Sequence, residues 1–365
     1  VDKKLKVLVV SPDINLIGGV VETVKLLLSG LEGRVDFTSA VFGRRAEQDG
    51  LKGYMQPLFD VLRFLFTLKK NAYDVVHINP SFNFRSIVKE LFLYLVLCLH
   101  GYSGRILIFF HGWDPELVKK ISLNPLFRMV LMFCFKRAGL IAVLSSGYRD
   151  SLIALGVPAG RVVVMSTMYD LAYILADVPD IAQRKSILFL SRMVRKKGVF
   201  ELLEAFERLS VRHVGVKLIL AGDGEDKKDI ERLIQSRGLS NVFLPGYLKG
   251  AEKAQAFKES GIFVLPTLFS EGCPVSLIEA MAAGLVPVVP LSGGIRDVVE
   301  PGETAVILNE ISADHLEEVL DKLLVDVDMQ RRISSRAAGY ARDNFESARV
   351  CRRILDLYHQ VFGCT

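Results

Sequence analysis

The chain has 365 residues, too many for one ordinary hydrophobic core and comfortable for two. Half of the residues are apolar and a quarter are charged, with a net charge of +5, which is the composition of a folded protein rather than a disordered one. No uninterrupted apolar run reaches the roughly 18 residues of a membrane span. The five cysteines, Cys98, Cys134, Cys273, Cys351 and Cys364, have neither paired nor metal-type spacing. They read as reduced thiols, no secretory leader is visible at Val1–Leu5, and the expected location is the cytoplasm.

Charge is unevenly placed. Residues 1–170 hold 21 Lys+Arg against 14 Asp+Glu, and the remainder holds 25 against 27. Two readings stay open: an ordinary solvated surface, or attraction of the first half to an anionic membrane leaflet, peripheral on its inner face.

The first predicted strand, Lys6–Pro12, is almost wholly apolar, as in a parallel strand buried on both faces. The loop Asp13–Gly19 ends in Gly18-Gly19, and a helix is expected from Val20 to Leu31 with Glu22 in its first turn. A strand, a Gly-rich turn and a helix can bring backbone N–H groups close to a phosphate, although a plain turn has the same sequence. Strands are expected next at Val35–Phe42, Asp74–Pro80, Arg105–Gly112, Leu140–Ser145 and Val162–Ser166. Helical patterns lie at Pro57–Lys70, Phe84–His100, Pro125–Arg137 and Gly147–Leu155. The alternation implies an open parallel sheet covered by helices.

His111 ends the fourth of these strands, and the carboxyl ends of strands are where open α/β sheets bind ligands. His77 and Asp114 are weaker candidates, His77 reading as a core residue. Leu91–Leu99 is apolar on all sides, Leu126–Phe135 nearly so apart from Arg128, and Leu58–Leu68 is rich in Leu and Phe and is followed by Lys69-Lys70. Such helices are either packed deeply or meet lipid, with lysines at the headgroups.

The segment Thr167–Ile181 has no clear period and is the expected domain linker. A second βα series begins at Ser186–Met193, with Arg192 and Lys197 just beyond the strand. Two cations there would neutralise a diphosphate, Arg as a bidentate fork and Lys as a compact charge; a basic surface loop is the alternative, since Arg195 and Lys196 adjoin. Val216–Asp226 is a strand running into a Gly turn, and Asn241–Tyr247 is another strand. The apolar run Ile262–Leu265 leads into Pro266–Glu279, a loop with Glu271, Gly272 and Cys273 and then a helix carrying Glu279. Pro274 suits its first turn, and free N–H groups are expected on Val275, Ser276 and Leu277. Such an end carries about half a positive charge and favours phosphate. Two carboxylates beside an anion site fit a ligand with both hydroxyls and phosphates, such as a sugar nucleotide. The buried strand Val286–Pro290 and helices at Ala313–Leu324, Met329–Asn344 and Ser347–Phe362 complete the chain.

The run from Glu271 through Gly272, Pro274, Ser276, Glu279, Ala280, Met281, Ala282, Gly284 and Pro287 resembles the donor-site signature of the retaining glycosyltransferases of family four. In that family two Glu are separated by seven residues, as Glu271 and Glu279 are. The resemblance covers essentially the whole chain, strongly from Ser186 to Leu308 and loosely from Val35 to Ser103. It implies the GT-B fold: two Rossmann-like parallel-sheet domains facing across a cleft. Residues 1–170 would bind the acceptor, 180–345 the donor, and 346–365 would form a helix crossing back to the first domain.

The resemblance also implies roles. Gly18 and Gly19 would let their loop approach the donor phosphates, and His111 would lie near the donor sugar. Arg192 and Lys197-Gly198 would bind the pyrophosphate, Glu279 the ribose hydroxyls, Glu271 the sugar hydroxyls, and Tyr247 the base. In place of the family's common Asn-Gly turn this chain reads Val162–Asp170 without one, which removes that contact. The implied reaction is metal-independent sugar transfer, with retention, from a nucleoside-diphosphate sugar to a saccharide or lipid-linked acceptor, in polysaccharide or glycolipid assembly. No D-x-D motif ends a strand, no cofactor is expected, and no nucleic-acid partner is implied. The competing readings are a sugar-nucleotide epimerase and an inactive GT-B scaffold that binds a partner enzyme.

Overall fold

The structure is a computed structural model that describes residues 4–16, 18–43, 52–170 and 178–363, with 52–58 described by backbone alone. Residues 171–177 of the expected linker, and Cys364, lie outside the described residues. Contacts divide the chain into two units, Val1–Met168 with Ser347–Thr365, and Tyr169–Glu346.

The first unit is built on strands β1 (Leu5–Ser11), β2 (Val35–Val41), β3 (Val75–Ile78), β5 (Ile106–Phe110), β7 (Leu140–Val143) and β8 (Val162–Val164). Two short strands, β4 (Ser81–Phe82) and β6 (Gly112–Trp113), pair beside them. The main sheet runs β2-β1-β3-β5-β7-β8 and is parallel throughout. Parallel strands need helical crossovers that cover both faces, so the central strands are apolar without alternation. Val7, Leu8 and Val9 of β1 and Val75 and Val76 of β3 are fully buried. The C-terminal helix Ser347–Gly363 packs on this sheet through Val350, Ile354, Tyr358 and Val361, one stripe at helical spacing.

The second unit is the same design: β9 (Ser186–Leu190), β10 (Lys217–Ala221), β11 (Val242–Gly246), β12 (Ser260–Val264), β13 (Val286–Val289) and β14 (Val306–Ile307). Its order, β11-β10-β9-β12-β13-β14, is again all parallel. In each sheet the chain builds outward to one side and then returns to the other side of its first strand. That reversal lies between β1 and β3 in the first unit and between β9 and β12 in the second. Loops leaving the strands at such a point diverge and leave a crevice for a ligand.

Two expectations change. A helix at Pro115–Leu123, unpredicted, is capped by Asp114, whose Oδ1 accepts from the Glu116 amide at 3.0 Å. The three apolar-rich helices are not packed deeply all round. Each buries one stripe and exposes another: Phe59, Leu62 and Phe66 on helix Lys52–Lys70; Phe84, Val88, Phe92, Leu95 and Leu99 on helix Phe84–Leu99; Leu126, Met129, Val130 and Phe133 on helix Pro125–Phe135. Among the described residues no helix is long and apolar enough to cross a membrane.

Candidate active site

The second sheet's reversal point brings two loops together. After β9 the chain passes Arg192, makes a 3-10 turn at Arg195–Lys197, and enters helix Val199–Arg212. After β12 it runs through Pro266–Pro274 into helix Val275–Ala282. The loops are tied by the Leu268 amide, which donates to the Lys196 carbonyl at 2.8 Å. Lys197 is thereby buried, and its Nζ pairs with Glu271 Oε1. The same carboxylate oxygen accepts from Thr267 Oγ1 at 2.8 Å. Thr267 Oγ1 in turn accepts from the Phe269 amide at 3.1 Å, so the loop fixes its own carboxylate.

Phe269 gathers cations: Arg192, Lys196 and Lys197 lie 5.9, 5.8 and 5.2 Å from its ring centroid. Neighbouring turns hold both loops from behind. Gly294 N–H donates to the Glu271 carbonyl at 2.6 Å, and Ser292 Oγ donates to the Phe269 carbonyl at 3.1 Å. Asp226 Oδ2 accepts from the Arg195 amide at 2.5 Å, anchoring the basic turn to the segment after β10.

Helix Val275–Ala282 is buried on every side from Leu277 onward, and its small Ala280 and Ala282 allow close packing on helix Val327–Phe345. Its two ends differ. At the C-terminal end Arg184 Nη1 donates to the carbonyls of Ala283 and Gly284, at 2.9 and 3.3 Å, and Ser334 Oγ to that of Gly284 at 2.6 Å. That is a cation and a hydroxyl where the helix dipole is negative. At the N-terminal end no side chain caps the helix, and the positive end opens into the Glu271 loop. The expected three free amides are corrected to two. Leu277 N–H donates to the Pro274 carbonyl at 3.1 Å, because the first turn tightens, and Pro274 sits one residue before the helix rather than in it. Val275 and Ser276 amides have no backbone partner among the described residues.

Glu279 is buried, and Lys253 Nζ reaches its Oε1 at 2.6 Å from helix Gly250–Glu259. No spacing in the chain points to Lys253, 26 residues earlier. Gly272 is half-buried and Cys273 buried beside them. Tyr247, just past β11, is half exposed with Lys249 Nζ 5.7 Å from its ring.

In the first unit the reversal point carries Gly18 and Gly19, which begin helix Gly19–Gly30: Gly18 O accepts from the Glu22 amide at 3.1 Å, and Gly19 O from Thr23 Oγ1 at 2.9 Å. His111, past β5, is joined to Asn79, past β3. Asn79 Nδ2 donates to the Val10 carbonyl at 3.3 Å, so its Oδ1 faces the imidazole and accepts from His111 Nε2–H at 2.9 Å. That fixes the tautomer and leaves Nδ1 as a bare acceptor, buried and unpartnered among the described residues. His77 is fully buried, with Nδ1 2.7 Å from Tyr358 Oη, and is a core residue.

Burial pushes His111 down to about 3, and burial followed by the charge of His111 pushes His77 down to about 3. Both are neutral at pH 7. An unfolded chain binds these protons near pH 6.5, so the stability the two contribute is complete above that pH and lost as pH falls toward 3. Urea unfolding from pH 7.5 to 4 should therefore destabilise the wild type more steeply than His111→Asn. Equal pH dependence of the two proteins would contradict the depressed His111.

Two family models match successive parts of the chain. One described as glycosyl transferases group 1 covers residues 177–339, and one described as glycosyltransferase family 4 covers residues 17–173. Among curated relatives, phosphatidyl-myo-inositol mannosyltransferase of Mycolicibacterium smegmatis is 26% identical over 81% of this chain and 73% of its own length. WcaL of Salmonella typhimurium, a glycosyltransferase provisionally assigned to colanic acid biosynthesis, is 24% identical over 71% of this chain. The match covers 65% of that relative, so the chain spans just under two thirds of it. Among solved structures, sucrose-phosphate synthase of Thermosynechococcus elongatus superposes with a TM-score of 0.77 at 19% identity, covering 99% of this chain and 100% of the other. Anabaena HepE in complex with UDP and glucose gives 0.75 at 18%, covering 96% and 98%. The structural likeness establishes the GT-B fold.

Proposed function

The chain belongs to family 4 of the GT-B glycosyltransferases, the glycosyl transferases group 1, and we propose from that membership that it moves a sugar from a nucleoside-diphosphate sugar to a saccharide or lipid-linked acceptor. The reading assigns retention at the anomeric carbon, no metal, and a place in polysaccharide or glycolipid assembly. One observation carries it: at the reversal point of the second sheet, buried Lys197 is held on Glu271 beside an uncapped helix N-terminus.

A leaving nucleoside diphosphate develops negative charge as the glycosidic bond breaks. Groups fixed in advance around that charge stabilise it without reorganising during the step. Lys197, Arg192 and the amides of Val275 and Ser276 are the candidates, and they perform the neutralisation that a metal performs in other transferases. Lys197 is held by Glu271, whose carboxylate Thr267 fixes, so an arriving phosphate exchanges one anionic partner for another. Glu271 is then released toward the sugar hydroxyls. Glu279 accepts hydrogen bonds from the ribose hydroxyls, with Lys253 orienting its buried carboxylate. Tyr247 offers a ring for the base. In the first unit the reading assigns His111 to a sugar hydroxyl, which its buried Nδ1 meets only once uncovered, and Gly18-Gly19 to a close backbone approach.

The test is a thermal shift of the protein against UDP-, GDP-, ADP- and CMP-sugars and the free nucleotides. Binding to the native state raises the midpoint with ligand concentration. One nucleotide family is expected to raise it, and Glu279→Ala should raise the concentration required about tenfold, as loss of a charged hydrogen bond does. No shift with any nucleotide would move the reading to an inactive scaffold.

A further inference from the structure

We infer that the outward faces of helices Lys52–Lys70, Phe84–Leu99 and Pro125–Phe135 form one surface that docks on an anionic lipid leaflet. This goes beyond the donor site and stands independently of it. The exposed apolar residues are not scattered. On the middle helix they are Phe84, Val88, Phe92, Leu95 and Leu99, at steps of four, four, three and four, a single stripe opposite the buried Ile87, Tyr94 and Leu97. The helix Pro125–Phe135 repeats this with Leu126, Met129, Val130 and Phe133, and the first helix with Phe59, Leu62 and Phe66. The middle helix packs against both others, and the Phe84 and Phe127 rings meet edge-on at 6.1 Å. Leu99 is 84% and Phe66 70% exposed, which a monomer in water does not gain from.

Charge selects the occupant. Arg63, Lys69, Lys70, Arg85, Arg128, Lys136 and Arg137 lie on or next to these helices and are exposed. Their only acids, Asp60 and Glu90, are buried at 3% each and face inward. An apolar face whose exposed charges on these helices, among the described residues, are all cationic would repel a second copy of itself across a two-fold axis. It complements a leaflet, with apolar side chains among the acyl chains and cations at the headgroups.

Flotation of the whole protein with phosphatidylcholine vesicles, with and without phosphatidylglycerol, tests this. The protein should float with the anionic vesicles, less so at high salt. Lys69→Glu with Lys70→Glu should weaken binding roughly tenfold or more. Phe66→Ser, Phe92→Ser and Leu99→Ser together should abolish it, and exposed positions leave no cavity when shortened. Circular dichroism and nucleotide thermal shifts should match the wild type in both variants, so failure here is distinguishable from failure of the donor reading. Undiminished flotation of either variant would overturn the inference. So would a wild-type dimer in sedimentation that the triple serine variant dissolves, because a second copy would then be the occupant.

Discussion

Replacing Lys197 with alanine is expected to lower kcat/KM for sugar transfer about a thousandfold, mainly in kcat, by analogy with loss of one preorganised donor to a developing anion. The structure also predicts a stability cost. Lys197 and Glu271 side chains are 8% and 16% exposed, so removing the ammonium leaves a largely buried carboxylate with Thr267, among the described residues, as its remaining side-chain partner. Breaking such a pair from one side costs about 3 kcal/mol. The two effects separate in the double variant Lys197→Ala, Glu271→Gln. A neutral amide needs no counter-charge, so urea unfolding should recover most of the lost stability while the rate stays low. Recovery of both stability and rate would mean that Lys197 only neutralises Glu271. A single variant within tenfold of the wild-type rate would remove Lys197 from the chemistry altogether.

What could be read in advance follows from the range of the interactions. Buried parallel strands announce themselves as continuous apolar runs, and those of both sheets lie close to where the pattern put them, except the two-residue β14, too short to show a run. The Glu271 loop was legible because a strand, small residues and a helix start occur together within a short stretch. The partners of its residues were not. Lys253 meets Glu279, and Asn79 meets His111, only because separate βα units bring their ends to one sheet edge. Nothing local in the helix of Lys253 distinguishes it from other surface lysines. Thr267 lies inside the motif and had a usable signal, a hydroxyl four residues before a carboxylate in a turn. The helix Pro115–Leu123 also had one, Asp114 followed by Pro115, a cap and a first-turn proline. The half-exposed apolar helices were ambiguous in principle, because an apolar face turned to lipid and one turned to the core have the same composition.

The second large effect is expected at Gly198, which separates Lys197 from the helix behind it. Gly198 has φ of +71°, and a Cβ added there would lie 2.1 Å from the Pro266 carbonyl oxygen and 2.8 Å from Pro266 Cγ. Neither neighbour is the free end of a flexible chain: one is backbone and the other a proline ring. Relief therefore requires the basic turn and the Pro266 loop to part by about 1 Å, and a shift of that size costs roughly a hundredfold in rate where groups must be aligned. Gly198→Ala should then lose about a hundredfold in kcat and require more donor for a thermal shift. Backbone strain alone would account for roughly 1 kcal/mol of stability and none of the rate. Gly302→Ala supplies the comparison, since Gly302 has φ of +74° with nothing within 4 Å of an added Cβ. It should lose similar stability from strain and keep its activity. If Gly198→Ala behaves like Gly302→Ala, the contact between the two loops does not position Lys197. If only Gly198→Ala loses turnover, the close approach of turn and loop is what holds the cation where charge develops.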